Sequence, residues 1–254
     1  QLAGIAHILV FAGFLILLLR TLILWGRGFS PDFGLFVLGH DQPLGMLYDL
    51  LKDTVAVLVI LGASAFIYLR VVRKEARMTL SGEGLLILGI IITMMVSDIL
   101  YDGAMFALSG HVREVCSAPV KAAIAMRPED GFCDSVRTVV APLGQDAGKA
   151  LGFVWHAPAG STMAALLGGA APKTLLVLAH VGFWTHSSLV LIFLNILPFS
   201  KHFHIITSFP NVFTRNLPPH GRLEPVATSS EALMAKVEKA FEAPAEAEPV
   251  GIAK

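Results

Sequence analysis

His186 and His204 bracket the stretch His186-Ser-Ser-Leu-Val-Leu-Ile-Phe-Leu-Asn-Ile-Leu-Pro-Phe-Ser-Lys-His-Phe-His204, 18 residues apart. On a continuous helix that spacing is about five turns, with both imidazoles on one face and about 27 Å apart along the axis. Ionisable or metal-ligating side chains in an apolar span are costly and are usually kept for function. Two on one face suggest b-type haem ligation inside a helical bundle. A third histidine, His7, opens an apolar run that would lie antiparallel to the one ending at His204, so these two imidazoles fall at one depth. Cofactor sites in bundles are built this way, from side chains on facing helices. An iron held by two neutral imidazoles has no open position and moves electrons rather than binding oxygen. The plainer alternative is that each helix-end histidine meets solvent or a lipid headgroup.

Charged residues inside the apolar runs come next. Arg20 lies 13 residues past His7, about 20 Å further along a helix and near the depth of His186. It could hold a haem propionate or a quinone oxygen, since arginine is a good fixed donor, or it could snorkel to the interface. Asp98 and Asp102 are four apart and share a helix face. As a pair they could exchange protons with a quinone; equally, they could cap the helix end in water. Asp53 stands beside Lys52, where a local ion pair explains it. Trp25, Trp155 and Trp184 read first as interfacial or packing aromatics.

The elements that must position these residues are long apolar helices. Of 254 residues, 55% are hydrophobic and only 15% charged, against about 25% charged in a soluble domain. Four runs approach the roughly 20 residues needed to cross a bilayer: about 3–26, 46–70, 82–108 and 173–200, the last expected to continue as helix past His204, with a kink at Pro198. The expected fold class is therefore all-α, an integral membrane bundle with four transmembrane helices. Nineteen basic residues balance nineteen acidic ones, which gives no reason to expect nucleic acid as a partner. Arg70, Arg73, Lys74 and Arg77 lie between the second and third spans. The bias of basic residues toward cytoplasmic loops puts that loop inside. The 27–45 loop and the long 109–172 segment are then outside, and the tail from about 205 is cytoplasmic. The chain starts at Gln1 without an initiator methionine, so a fragment or a processed chain is expected. Residues 1–26 do not read as a cleavable signal peptide, because the apolar run is too long and lacks a basic flank.

The outer segment holds both cysteines, Cys116 and Cys133. An oxidising compartment favours a disulfide between them, the alternative being two unpaired thiols. Two thiols cannot hold a cysteine-ligated iron–sulfur cluster, which needs about four. The small-residue run Ala157–Ala171 suggests an interfacial helix or a re-entrant turn. In the tail, Thr228-Ser-Ser-Glu231 fits a capping box and precedes Leu233, Val237 and Phe241 at helical spacing. This is a short amphipathic helix, about 229–242, that rests on the membrane or docks a partner.

Pro198-Phe-Ser-Lys-His-Phe-His204, with His186 eighteen residues earlier, resembles the last helix of the membrane cytochrome b (gamma) subunit of respiratory nitrate reductases. Gln1–Thr21, with Ala6-His7-Ile-Leu-Val-Phe-Ala-Gly-Phe14, resembles a haem-bearing helix of the same superfamily. Ser200-Lys-His-Phe-His-Ile-Ile-Thr207 and Pro210-Asn-Val-Phe-Thr-Arg-Asn216 are more similar to the membrane domain of heterodisulfide-reductase-like iron–sulfur oxidoreductases. The resemblance covers most of 1–222 and is weakest in 109–172. It implies that His7 and His204 bind a haem b nearer the cytoplasm and that His186 binds a second one nearer the outside. That family's partner for His186 would fall near residue 17, which here is Leu17. So either the second haem is absent or His186 takes another partner, with His40 and His156 as candidates in the outer segments. The family usually shows five spans and a cysteine-rich cytoplasmic part.

The resemblance implies an electron-transfer subunit in a bacterial or archaeal cytoplasmic membrane. It would link a quinone, menaquinone by analogy, to a cytoplasmic iron–sulfur subunit or fused domain. The rival readings are a haem-poor anchor that binds quinone, and a transporter or proton-channel subunit in which His186, Asp98 and Arg20 form a polar relay.

Overall fold

The computed structural model describes residues 2–74, 81–116, 130–200, 203–215, 227 and 229–242. Among these residues the secondary structure is helical, without strands. The helices are α1 (Leu2–Arg27), α2 (Pro43–Val71), α3 (Gly82–Ser109), α4 (Val112–Cys116), α5 (Asp130–Val140), α6 (Pro158–Leu167), α7 (Pro172–Ile196), α8 (His204–Phe213) and α9 (Ser230–Glu242). The chain forms two compact units, Gln1–Phe203 and His204–Lys254.

Local chemistry sets the helix starts. Proline opens α2, α6 and α7, where its missing N–H costs nothing and its fixed φ suits the first turn. At α3 the Ser81 hydroxyl accepts a hydrogen bond from the Gly84 N–H at 3.2 Å, satisfying one otherwise unpaired donor. Four helices are long and apolar enough to cross a membrane: α1, α2, α3 and α7 with its short continuation to Phe199. Their outward faces carry large apolar side chains, such as Ile8, Leu18 and Leu22 on α1 and Val177, Trp184 and Leu191 on α7. Polar side chains are buried between them instead: Arg20, Lys52, Asp53, Asp98, Asp102 and His186. Apolar outside and charged inside is the arrangement of a bundle built for lipid, and this chain is an integral membrane helical bundle in fold class.

Helix α3 is central, packing against α7, α6 and α2, while α1 lies mainly on α2. Two glycines permit close crossings of α3 with its neighbours. A Cβ at Gly182 of α7 would stand 2.7 Å from the Ser97 carbonyl and 2.8 Å from the Tyr101 nitrogen of α3. A Cβ at Gly103 of α3 would stand 2.5 Å from Met163 on α6. Helix α6 has ten residues, about 15 Å or half a bilayer, and is the short element expected from the small-residue run. Around it, Val136, Val140 and Leu143 join Leu108, Leu175 and Ala179 in one apolar core at the end of the bundle that carries Ser109 and Pro172. Cys116 and Cys133 form a disulfide, with Cα atoms 5.5 Å apart, tying α4 to α5.

The fourth span does not continue through His204. Helix α7 ends at Ile196, a short 3-10 turn follows over Leu197–Phe199, and Ser200 is extended. Pro198 lacks the N–H that would bond the Leu194 carbonyl, and its ring crowds that turn. His186 and His204 therefore lie on different helices, and the expectation that they share one continuous helix face is wrong. In the second unit, the cap of α9 falls one residue later than expected: the Ser229 hydroxyl accepts from the Ala232 N–H at 3.2 Å. Thr228, and Arg77 of the basic loop, lie outside the described residues.

Candidate functional site

Each of α1, α2 and α3 brings charge to one level of the bundle. Arg20 is seven residues before the end of α1, Lys52 nine after the start of α2, and Asp102 seven before the end of α3. All three thus lie about 10–14 Å below the same end. The Arg20 Nε donates to Asp98 Oδ1 at 2.8 Å, and its Nη2 to Asp102 Oδ1 at 2.5 Å. The guanidinium also stands over the Tyr101 ring, 5.7 Å from its centre. Arg20 is 2% exposed and does not snorkel; two carboxylates hold it inside. Asp102 is equally buried and does not cap a helix end in water. Its second oxygen accepts from Lys52.

Lys52 does not pair with its neighbour Asp53. It turns to Asp102 and lies 4.0 Å from Asp49 Oδ1. Asp53 instead accepts from the Ala159 N–H at 2.5 Å and the Gly160 N–H at 3.3 Å. It caps the positive end of α6, where unpaired N–H groups and the helix dipole favour an anion. The other oxygen of Asp49, Oδ2, accepts from His40 Nδ1 at 3.0 Å and lies 3.8 Å from His156 Nδ1. Burial, and then the nearby His40, hold the His156 imidazole below the usual histidine range, so it is neutral at pH 7. A line of polar and charged side chains thus runs from His156 and His40 through Asp49, Lys52, Asp102 and Arg20 to Asp98, with wider steps of 3.8 Å from His156 to Asp49 and 4.0 Å from Asp49 to Lys52.

His186 is 1% exposed. Its Nδ1 lies 3.2 Å from the Met94 carbonyl, which can only accept, so Nδ1 carries the proton. Nε2 is then bare and faces the Thr21 hydroxyl at 3.4 Å. Fixing one ring nitrogen on a carbonyl is how proteins orient metal-ligating histidines. Here, however, the other nitrogen looks directly onto α1, one turn from Leu17. The structure turns His40 and His156 to Asp49, and His180 is an exposed residue of α7. His7 is an exposed residue of α1, and His204 is the exposed first residue of α8 in the second unit.

The structure thus brings Arg20, Asp98 and Asp102 together and joins Cys116 to Cys133. Asp49, Lys52, His40 and His156 belong to the site as well. Asp49 and Lys52 left a trace in the sequence, being charges three apart in an apolar run. His156 left none.

No family model matches the chain, and no solved structure matches it. Among curated proteins it is similar to the probable iron–sulfur-binding oxidoreductase FadF of Bacillus subtilis (strain 168), 22% identical over 232 residues. The match takes in 90% of this chain, which spans 26% of that protein's length.

Proposed function

We propose that the chain is the haem b-bearing membrane subunit of a quinone-linked oxidoreductase, passing electrons between the quinone pool and an iron–sulfur partner. The observation that carries this reading is the likeness to an iron–sulfur-binding oxidoreductase along 90% of the chain, falling on a four-helix apolar bundle. Both cysteines are engaged in a disulfide, so the iron–sulfur centre belongs to the partner, a cytoplasmic subunit or fused domain. His7 and His204 are the axial ligands of one haem, as the resemblance to the nitrate reductase gamma and heterodisulfide-reductase-like families implies. Two imidazoles are a fitting donor set for such an iron. When bound, the haem supplies one-electron chemistry. A second haem on His186 would require α1 and α7 to part at the Thr21 contact, so the proposal takes one haem per chain. Asp98 and Asp102, held by Arg20, exchange protons with the quinone, menaquinone by the same resemblance.

The test is a reduced-minus-oxidised absorbance spectrum of the purified chain, with haem counted by pyridine haemochrome. One haem is expected, lost in His7→Ala and in His204→Ala and kept in His186→Ala. Folded protein without haem bands would refute the reading. The line of polar and charged side chains from His156 to Asp98 favours a second reading, a proton-conducting subunit. In that case the protein lacks haem, and proteoliposomes show a proton flux that Asp102→Asn abolishes.

A further inference from the structure

His40, Asp49 and His156 come from three separate parts of the chain: the α1–α2 loop, the second turn of α2 and the segment leading into α6. Their ligand atoms all lie within 4.8 Å of one another. The imidazole rings are 4.7 Å apart, centre to centre, and tilted by 54°. Asp49 divides its oxygens between two neighbourhoods, Oδ1 toward Lys52 and Oδ2 toward both histidines. His156 is 5% exposed, yet its Nδ1 has no hydrogen-bond partner. A buried ring nitrogen without a partner costs free energy, and this one faces a carboxylate oxygen 3.8 Å away, too far for a hydrogen bond.

We infer that His40, Asp49 and His156 form a site for a divalent late first-row metal ion, with zinc as the reference ion. A tetrahedral zinc with bonds of about 2.0–2.1 Å places its ligand atoms about 3.3 Å apart. The two separations from Asp49 Oδ2, 3.0 and 3.8 Å, bracket that value. Two imidazoles and one carboxylate are a donor set suited to zinc, and three protein ligands leave a fourth position open. Binding costs His40 only a tautomer change, moving its proton from Nδ1 to Nε2. It also gives the stranded His156 nitrogen a partner. Lys52 stays neutralised by Asp102, so the incoming cation meets the net negative charge of Asp49. The ion would clasp the outer loop, α2 and the start of α6 together. This inference does not depend on the presence of haem.

The experiment uses the full purified chain in detergent, stripped of metal and titrated with zinc, then with cobalt(II). One ion per chain is expected, with the visible bands of four-coordinate cobalt. His40→Ala, Asp49→Asn and His156→Ala should each weaken binding at least tenfold, while His180→Ala, a change on the outer face, leaves it intact. A wild-type measurement covers variants that fail to fold: zinc should protect His40 and His156 from diethyl pyrocarbonate, read by mass spectrometry. Absence of stoichiometric binding, equal loss in His180→Ala, or no protection of the two histidines would overturn the inference.

Discussion

Arg20→Leu is the sharpest probe of the buried charge network. The side chains of Arg20 and Asp98 are 2% and 4% exposed, with a bond of 2.8 Å between them. Removing the guanidinium leaves Asp98 without its cation, while Asp102 keeps Lys52. Two effects of different size compete to describe the loss. If the contact is an ordinary interhelical hydrogen bond in a membrane, its loss costs about 0.6 kcal/mol. If a desolvated charge is stranded, the cost is about 3–5 kcal/mol, or two to nearly four powers of ten in the folding equilibrium. The burial on both sides selects the second. Arg20→Leu combined with Asp98→Leu removes both ends, so the double variant should be more stable than Arg20→Leu alone, with a coupling of at least about 2 kcal/mol. The assay is denaturant unfolding in micelles, followed by fluorescence of Trp25, Trp155 and Trp184. Costs that simply add, to within about 0.5 kcal/mol, would mean that water reaches the pair and that the network is not sealed.

Three further outcomes follow from the packing. Gly182→Val should destabilise the bundle by about 3 kcal/mol or more, above ordinary overpacking, because the added carbons meet α3 backbone at 2.7–2.8 Å; a thermal midpoint close to wild type would contradict that crossing. Asp53→Ala should cost about 1 kcal/mol and speed amide exchange at Ala159 and Gly160, whose N–H groups it accepts; unchanged exchange there would remove the cap. Replacing Cys116 and Cys133 by serine should cost about 3 kcal/mol by closed-loop entropy, with the wild type falling to the same stability in reductant.

The spans were legible because crossing a bilayer demands length and hydropathy, and both are written locally. Asp98 and Asp102 were legible as a face for the same reason, four residues being about one turn. Their partners were not: Arg20 is 78 and 82 residues away, and Lys52 is 50 from Asp102. No periodicity encodes which helix turns toward which. Local reasoning therefore left Arg20 between a cofactor contact and the interface, and gave Lys52 to Asp53. The break after Ile196 was half visible in Pro198, which signalled a kink while the structure ends the helix. His40 and His156 meet through loops, where spacing carries no geometric meaning.

The separation between Arg20 and its carboxylates has a consequence for biogenesis. During synthesis α1 reaches the translocon carrying a cation whose counter-ions on α3 have not yet been made. Inserting an arginine costs about 2.5–3.5 kcal/mol at the centre of a segment, an upper bound for Arg20 seven residues from the end of α1, and each surrounding leucine, isoleucine, phenylalanine or valine returns about 0.3–0.6. The many such residues of Leu2–Arg27 let it enter the lipid regardless. Its guanidinium then waits for the third helix, so the bundle locks only when that nascent segment arrives, and a ribosome stalled before residue 98 leaves an inserted but unassembled chain exposed to quality control.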